Sequence, residues 1–154
     1  MAIELRLSVD DARLRRALQD PALINGPIAT FLKKAALTVQ GRAMLKAPVD
    51  TGRLRSSIVS SSRPSRGQVS IFTPVFYAPF VEFGTRPHMP PLSALQPWAR
   101  RHGFRSAWPL ALAISRRGTR PHPFMRPALK ESLPDIQVLV TEAARDIERR
   151  WKGG

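Results

Sequence analysis

The chain has 154 residues, 43% of them hydrophobic, which allows one globular domain with a modest core and leaves little room for a second. It contains no cysteine, and that excludes a disulfide scaffold, a thiolate metal site and a cysteine nucleophile. The formal net charge is +14 and unevenly spread, because Thr51 to Lys130 holds thirteen arginines or lysines against one acid, Glu82. Taken in chain order, the first element is a strand over residues 3–9, where Ile3, Leu5, Leu7 and Val9 alternate with polar residues. Asp10 or Asp11 can cap a short helix with Leu14, Ala17 and Leu18 inward. Asn25-Gly26-Pro27 starts a longer helix, with proline in its first turn. Ile28, Phe31, Leu32, Ala35, Val39 and Ala43 form its inner stripe, and Pro48 ends it near Lys46.

The stretch "APVDTGRL" reads as a turn, with Asp50 bonding its own backbone and Gly52 free to take positive φ. Strands are expected at 54–62 and 69–76, joined through "RPSRGQ". Leu54 and Ile58 would share one face of the first, Val69 and Ile71 one face of the second. "YAPFVEFGT", with Phe76 just before it, is too aromatic for a free loop and reads as a buried corner. Residues 86–117 read as two short helices. "PLSALQPWARRHG" makes the first, with Pro97 pushing its start to about Gln96 and Gly103 stopping it. "SAWPLALAISRRG" makes the second, with Ser106 as cap and Gly118 as the residue after its end. Trp108, Leu110, Ala111, Leu112, Ala113 and Ile114 cover most of that helix's circumference, so it should be buried on more than one side. A C-terminal helix follows, with Ser132 as cap and Pro134 and Asp135 in the first turn. Its inner stripe is Ile136, Leu139, Val140, Ala143, Ala144, Ile147 and Trp151.

The phrase Gly-Thr-Arg-Pro-His occurs twice, from Gly84 and from Gly118, 34 positions apart. Removing the residues between the two leaves "VEFGTRPHPFMRPAL", a continuous segment. The duplicated phrase is therefore read as the two seams of a helical hairpin, residues 86–117, carried within a single domain spanning 1–154. Nothing else recurs at that period, which excludes a solenoid.

Three motifs in order, "KAPVDTGRLRSSI" after a long helix, then "YAPFVEFGT", then "PHPFMRPAL", resemble the neck or tail-completion proteins of tailed bacteriophages, also called minor tail or head–tail joining proteins. The resemblance covers roughly residues 28–150. It implies a small α+β fold: an antiparallel sheet against a long helix and a C-terminal helix, here with the inserted hairpin. It also implies structural work in the virion, with no catalytic residue and no cofactor to carry over. The motif positions, to which it gives fold-holding roles, are Pro48, Asp50, Thr51, Gly52 and Leu54; Tyr77, Glu82, Phe83, Gly84 and Thr85; and Phe124, Arg126, Pro127 and Ala128.

Glu82 lies between Val81 and Phe83, and a partly buried carboxylate needs a partner, for which Arg53, Arg55 and Arg126 are candidates. A structural ion pair is preferred to catalysis, since no base accompanies it. His88 and His122 could approach each other across the seams, but two histidines without a further ligand make a poor metal site. There is no serine triad, no phosphate-binding glycine loop and no apolar run long enough to span a bilayer. Arg86, Trp98, Arg100, Arg101, Arg105, Trp108, Arg116, Arg117 and Arg120 are the candidates for facing a subunit or DNA. The expected function is a homo-oligomeric ring of about six copies around the DNA path, between head-side connector or stopper and tail terminator or tube. It would be assembled in the host cytoplasm, with the packaged DNA as a further contact. The alternative is a free, basic nucleic-acid-binding protein acting off the virion.

Overall fold

A computed structural model describes residues 3–8, 19–21 and 24–152. The short helix expected after Asp10 lies outside the described residues. Among the described residues the fold is α+β: one antiparallel sheet and six named α-helices, the longest two packed along each other.

Strand β1 (Ile3–Ser8) is the outer strand beside β3 (Gln68–Thr73), which also pairs with β2 (Val59–Arg63), giving the order β1-β3-β2. Ile3 stands opposite Thr73 and Leu7 opposite Val69 across one ladder; Val59 stands opposite Phe72 across the other. In the central strand β3 burial alternates residue by residue: Val69, Ile71 and Thr73 are inside, as the period of two requires. The strand ends at Thr73, three residues earlier than its pattern predicts. The first strand of the hairpin differs more. Arg53–Ser56 is a single helical turn, α2, entered from Gly52 at φ 80°, and pairing begins only at Val59. Leu54 and Ile58 are both buried, but from a helical turn and a connector, not from one strand face. Ser57, which ends α2, fixes the switch: its Oγ lies 2.7 Å from Oγ1 of the buried Thr73.

Helix α1 (Ala29–Lys46) follows a π-helical turn, Ile24–Ile28, that contains Pro27. Its expected inner stripe is inside, with Ala36 added and Phe31 half-buried. Gln40 ties it to the sheet, donating to the Ile58 carbonyl at 3.0 Å and accepting from Ser60 Oγ at 2.6 Å. The apolar core lies between α1, the sheet and α6, and includes Val39, Ile71, Phe124 and Ala128.

Helix α6 (Met125–Lys152) begins seven residues before the predicted cap. Ser132 is inside the helix and fully buried, and its hydroxyl donates to the Ala128 carbonyl at 2.7 Å. Pro134 is also internal; it sits on the exposed side, where the Lys130 carbonyl it leaves unpaired can meet water. Of the expected inner stripe, Ile136 is buried and Leu139 and Ile147 partly so, but Val140 and Ala144 are exposed. Along the outer seam with α1, three ion pairs follow one another: Lys46–Glu131 at 2.6 Å, Arg42–Asp135 at 2.5 Å and Lys34–Glu142 at 3.7 Å.

Between sheet and α6 run α3 (Ala78–Phe83), α4 (Leu92–Arg101) and α5 (Trp108–Arg117). Pro97 lies inside α4, not at its start, again on an exposed side. No helix among the described residues is long and apolar enough to cross a membrane.

Candidate interaction site

The two copies of Gly-Thr-Arg-Pro-His meet. Thr85 and Thr119 form an isolated antiparallel bridge in which each backbone N–H donates to the other's carbonyl at 3.2 Å. Their hydroxyls join it: Thr119 Oγ1 lies 3.1 Å from Thr85 Oγ1, which also accepts the Thr119 N–H at 3.0 Å. The histidines cross over in the same sense. His122 N–H donates to the Val81 carbonyl in α3 at 2.7 Å, and His88 N–H to the Ile114 carbonyl in α5 at 3.4 Å. Each histidine thus reaches the helix end that precedes the other copy's glycine. Gly84 and Gly118 both have φ 70°, and a Cβ on either would fall 2.4 Å from the Thr119 carbonyl oxygen or 1.9 Å from that of Thr85. The chains pass so closely that only hydrogen fits.

One turn before this clasp, Glu82 is 2% exposed. Its Oε2 accepts the backbone N–H groups of Phe124 at 2.7 Å and Met125 at 2.9 Å, and its Oε1 accepts that of Arg126 at 3.0 Å. These are the unpaired donors at the start of α6, and a carboxylate there also meets the positive end of the helix dipole. The expected ion pair with Arg53, Arg55 or Arg126 is therefore replaced by a backbone cap. Arg126 turns its guanidinium to the Phe83 ring, 4.9 Å from its centroid. A signal for this existed in the sequence: "RPHPFMRPAL" has no Ser, Thr, Asp or Asn just before its helix, so the cap had to come from elsewhere.

The second and third motifs thus share one corner. Phe124 and Ala128 are fully buried there, with Pro127 and Tyr77 half-buried beside them. The aromatics of the corner are less buried than expected: Phe76, Phe80 and Phe83 are 69%, 55% and 53% exposed, because α3 turns Ala78, Pro79 and Glu82 inward.

The first motif lies apart, in the link from α1 to α2. Leu54 enters the core, Pro48 and Thr51 are exposed, and Gly52 supplies the left-handed residue. Asp50 does not bond its own backbone. It takes a two-pronged contact from Arg101 at the end of α4, with Arg101 Nε donating to Oδ1 at 2.9 Å and the second prong reaching Oδ2. His102 Nε2 lies 3.3 Å from the same carboxylate. The hydrogen bond from Arg101 holds the Asp50 carboxyl below its ordinary value of 3.8, against a smaller opposing effect of desolvation. Arg101 is thus committed within the chain and is no longer a free contact residue.

The α4–α5 arm carries the remaining candidates. Trp98 stacks on His102, with centroids 4.1 Å apart, and on Phe104 at 6.1 Å, so its faces are engaged. Helix α5 buries only Ala111, not several sides, and Trp108 is 53% exposed. The N-cap of α5 is Ala107, one residue after the expected Ser106, whose Oγ still accepts the Trp108 N–H at 3.1 Å. Among the described residues no carboxylate pairs with Arg86, Arg100, Arg105, Arg116, Arg117 or Arg120. His88 instead turns its Nδ1 to the Arg86 carbonyl at 2.9 Å. No group of three or more His, Asp or Glu residues could hold a metal ion among the described residues.

Residues 11–84 match the family described as "Bacteriophage HK97-gp10, putative tail-component". The match supports a phage neck or tail family for the chain, and its last residue is the first glycine of the clasp. No curated protein and no solved structure matches the chain.

Proposed function

We propose, from the phage tail-component family matched by residues 11–84, that this protein joins the head connector to the tail, as a homo-oligomeric ring around the DNA path. A tail component is a structural protein that resides in the virion and contacts other phage structural proteins. The observation that carries the reading is that match, which spans α1, the β2–β3 hairpin and the α3 side of the Glu82 corner. Supporting it, the folded chain leaves apolar side chains uncovered on α3, Phe80 and Phe83 among them. Surfaces of that kind suit contacts between subunits. A ring built from one heterologous contact closes when the rotation matches the tail's symmetry, and about six copies is the natural number.

The test is imaging of particles from a lysate lacking the gene. Full heads beside unattached tails are expected. Normally joined virions would overturn the reading.

A second reading, a free nucleic-acid-binding protein, draws on the net charge of +14. It requires a monomer whose affinity for duplex DNA falls steeply with salt.

A further inference from the structure

From Phe83 to Lys130 the sequence has no aspartate or glutamate. Six of the chain's eleven carboxylates are engaged internally: Asp50 by Arg101, Glu82 by three backbone N–H groups, Glu131, Asp135 and Glu142 by α1, and Asp146 by Arg149. A second copy therefore brings to the arm another excess of positive charge and, among the described residues, almost no free acid to oppose it. Like charges brought together weaken such a contact. The arm calls for a different, negatively charged partner.

The chemistry of α5 distinguishes between two kinds of polyanion. Its outward face, opposite the buried Ala111, carries Pro109, Leu112 and Ala113 and ends in Arg116 and Arg117, with the exposed Trp108 to one side. All of these except Trp108 line one open groove. A phosphate backbone needs donors and gains nothing from an apolar floor. Of the arm's aromatics, Trp98 and Phe104 already stack within it, which leaves Trp108 alone to stack on a base. An apolar floor edged by arginine is instead the composition of a protein interface.

We infer that the α5 groove docks an acidic amphipathic segment of a partner protein, its apolar side chains on Pro109, Leu112 and Ala113 and its carboxylates on Arg116 and Arg117. Arginine forks match carboxylates two-pronged, as Arg101 already does with Asp50. This deepens the neck reading and rests on it for where such a partner is met, not for the surface itself.

The test titrates the full chain by calorimetry with a synthetic helical peptide, leucines on one face and glutamates on the other. Its lysine-for-glutamate counterpart and a short DNA duplex run in parallel. The acidic peptide should bind and the lysine peptide should not. R116E/R117E should weaken the acidic peptide by about tenfold or more. R63E/R66E, the same change in charge at the β2–β3 turn, should leave its affinity within about twofold. The inference is overturned if the acidic peptide does not bind, if the duplex binds in its place, or if both double variants weaken binding alike. Its failure is separable from that of the neck reading. Joined virions in the lysate lacking the gene sink that reading whatever the peptide does. An unbound peptide beside unattached tails sinks only the groove.

Discussion

Thr85 and Thr119 exchange both of their backbone hydrogen bonds, each 3.2 Å long, although 34 residues separate them. This accounts for the repeated phrase in physical terms. Two chain segments that cross at one narrow point face the same steric problem, and Gly-Thr solves it twice: a left-handed glycine with no side chain, then a threonine whose hydroxyl and backbone reach the other strand. The histidine N–H groups extend the crossing by one further bond on each side. The whole α4–α5 arm leaves the body through this gap.

Substituting alanine at Gly118 should therefore be severe. The added Cβ meets the Thr85 carbonyl oxygen at 1.9 Å in a backbone at φ 70°. The expected loss is about 3 kcal/mol or more, read by chemical denaturation. Gly41→Ala is the contrast. It lies within α1 with nothing inside 4 Å of a new Cβ, and it should gain about 0.5–1 kcal/mol.

Removing the remote cap should uncouple α6. In Glu82→Ala the Phe124, Met125 and Arg126 N–H groups lose their acceptor, and the expected cost is about 3 kcal/mol or more. Glu82→Gln keeps one acceptor oxygen but loses the charge at the helix end, and should cost about 1–2 kcal/mol. Urea unfolding of both variants, with amide exchange at residues 124–128, checks the order.

The Asp50–Arg101 contact should depend on pH in one direction. The folded carboxyl sits below its ordinary value of 3.8, so the contact contributes fully above that value and is lost as pH falls through the lower, folded one. Amide exchange at the end of α4 should rise in that acidic window. Asp50→Asn should show raised exchange there at neutral pH and no acidic step.

The three ion pairs between α1 and α6 should matter little beside the core they flank. Lys34 and Glu142 are each more than half exposed, and a double-mutant cycle on them should give about 0.5 kcal/mol or less. Leu32→Ala, at a buried position of the same helix, should cost about 3 kcal/mol.

Finally, the arm should be dispensable for folding of the body. Replacing residues 86–118 by Asn-Gly joins Thr85 to Thr119 through a two-residue hairpin turn that suits antiparallel strands. The shortened chain should keep its helix content per residue and a cooperative melt, and should lose binding of the acidic peptide. A molten or insoluble product would show that the arm is integral to the fold.

By itself the sequence determined the elements whose signals are local. The end of α1 at Lys46, the alternating burial of β3 and the start of α5 within a residue or two of Ser106 all follow from patterns that act within about four residues: helical period, strand period, proline stops and turn residues. Tertiary structure decided the rest, because the deciding partner lies far along the chain. Glu82 caps a helix 42 residues away, so α6 could start at Met125 without any local cap. Asp50 is held by Arg101, 51 residues away, which no turn pattern reveals. Leu54 lies in a helical turn because Ser57 meets the buried Thr73, and Pro97 and Pro134 remain inside helices because their sides face water. Proximity in sequence sets which backbone shapes a segment favours; only the assembled fold supplies the distant donor, acceptor or solvent that selects among them.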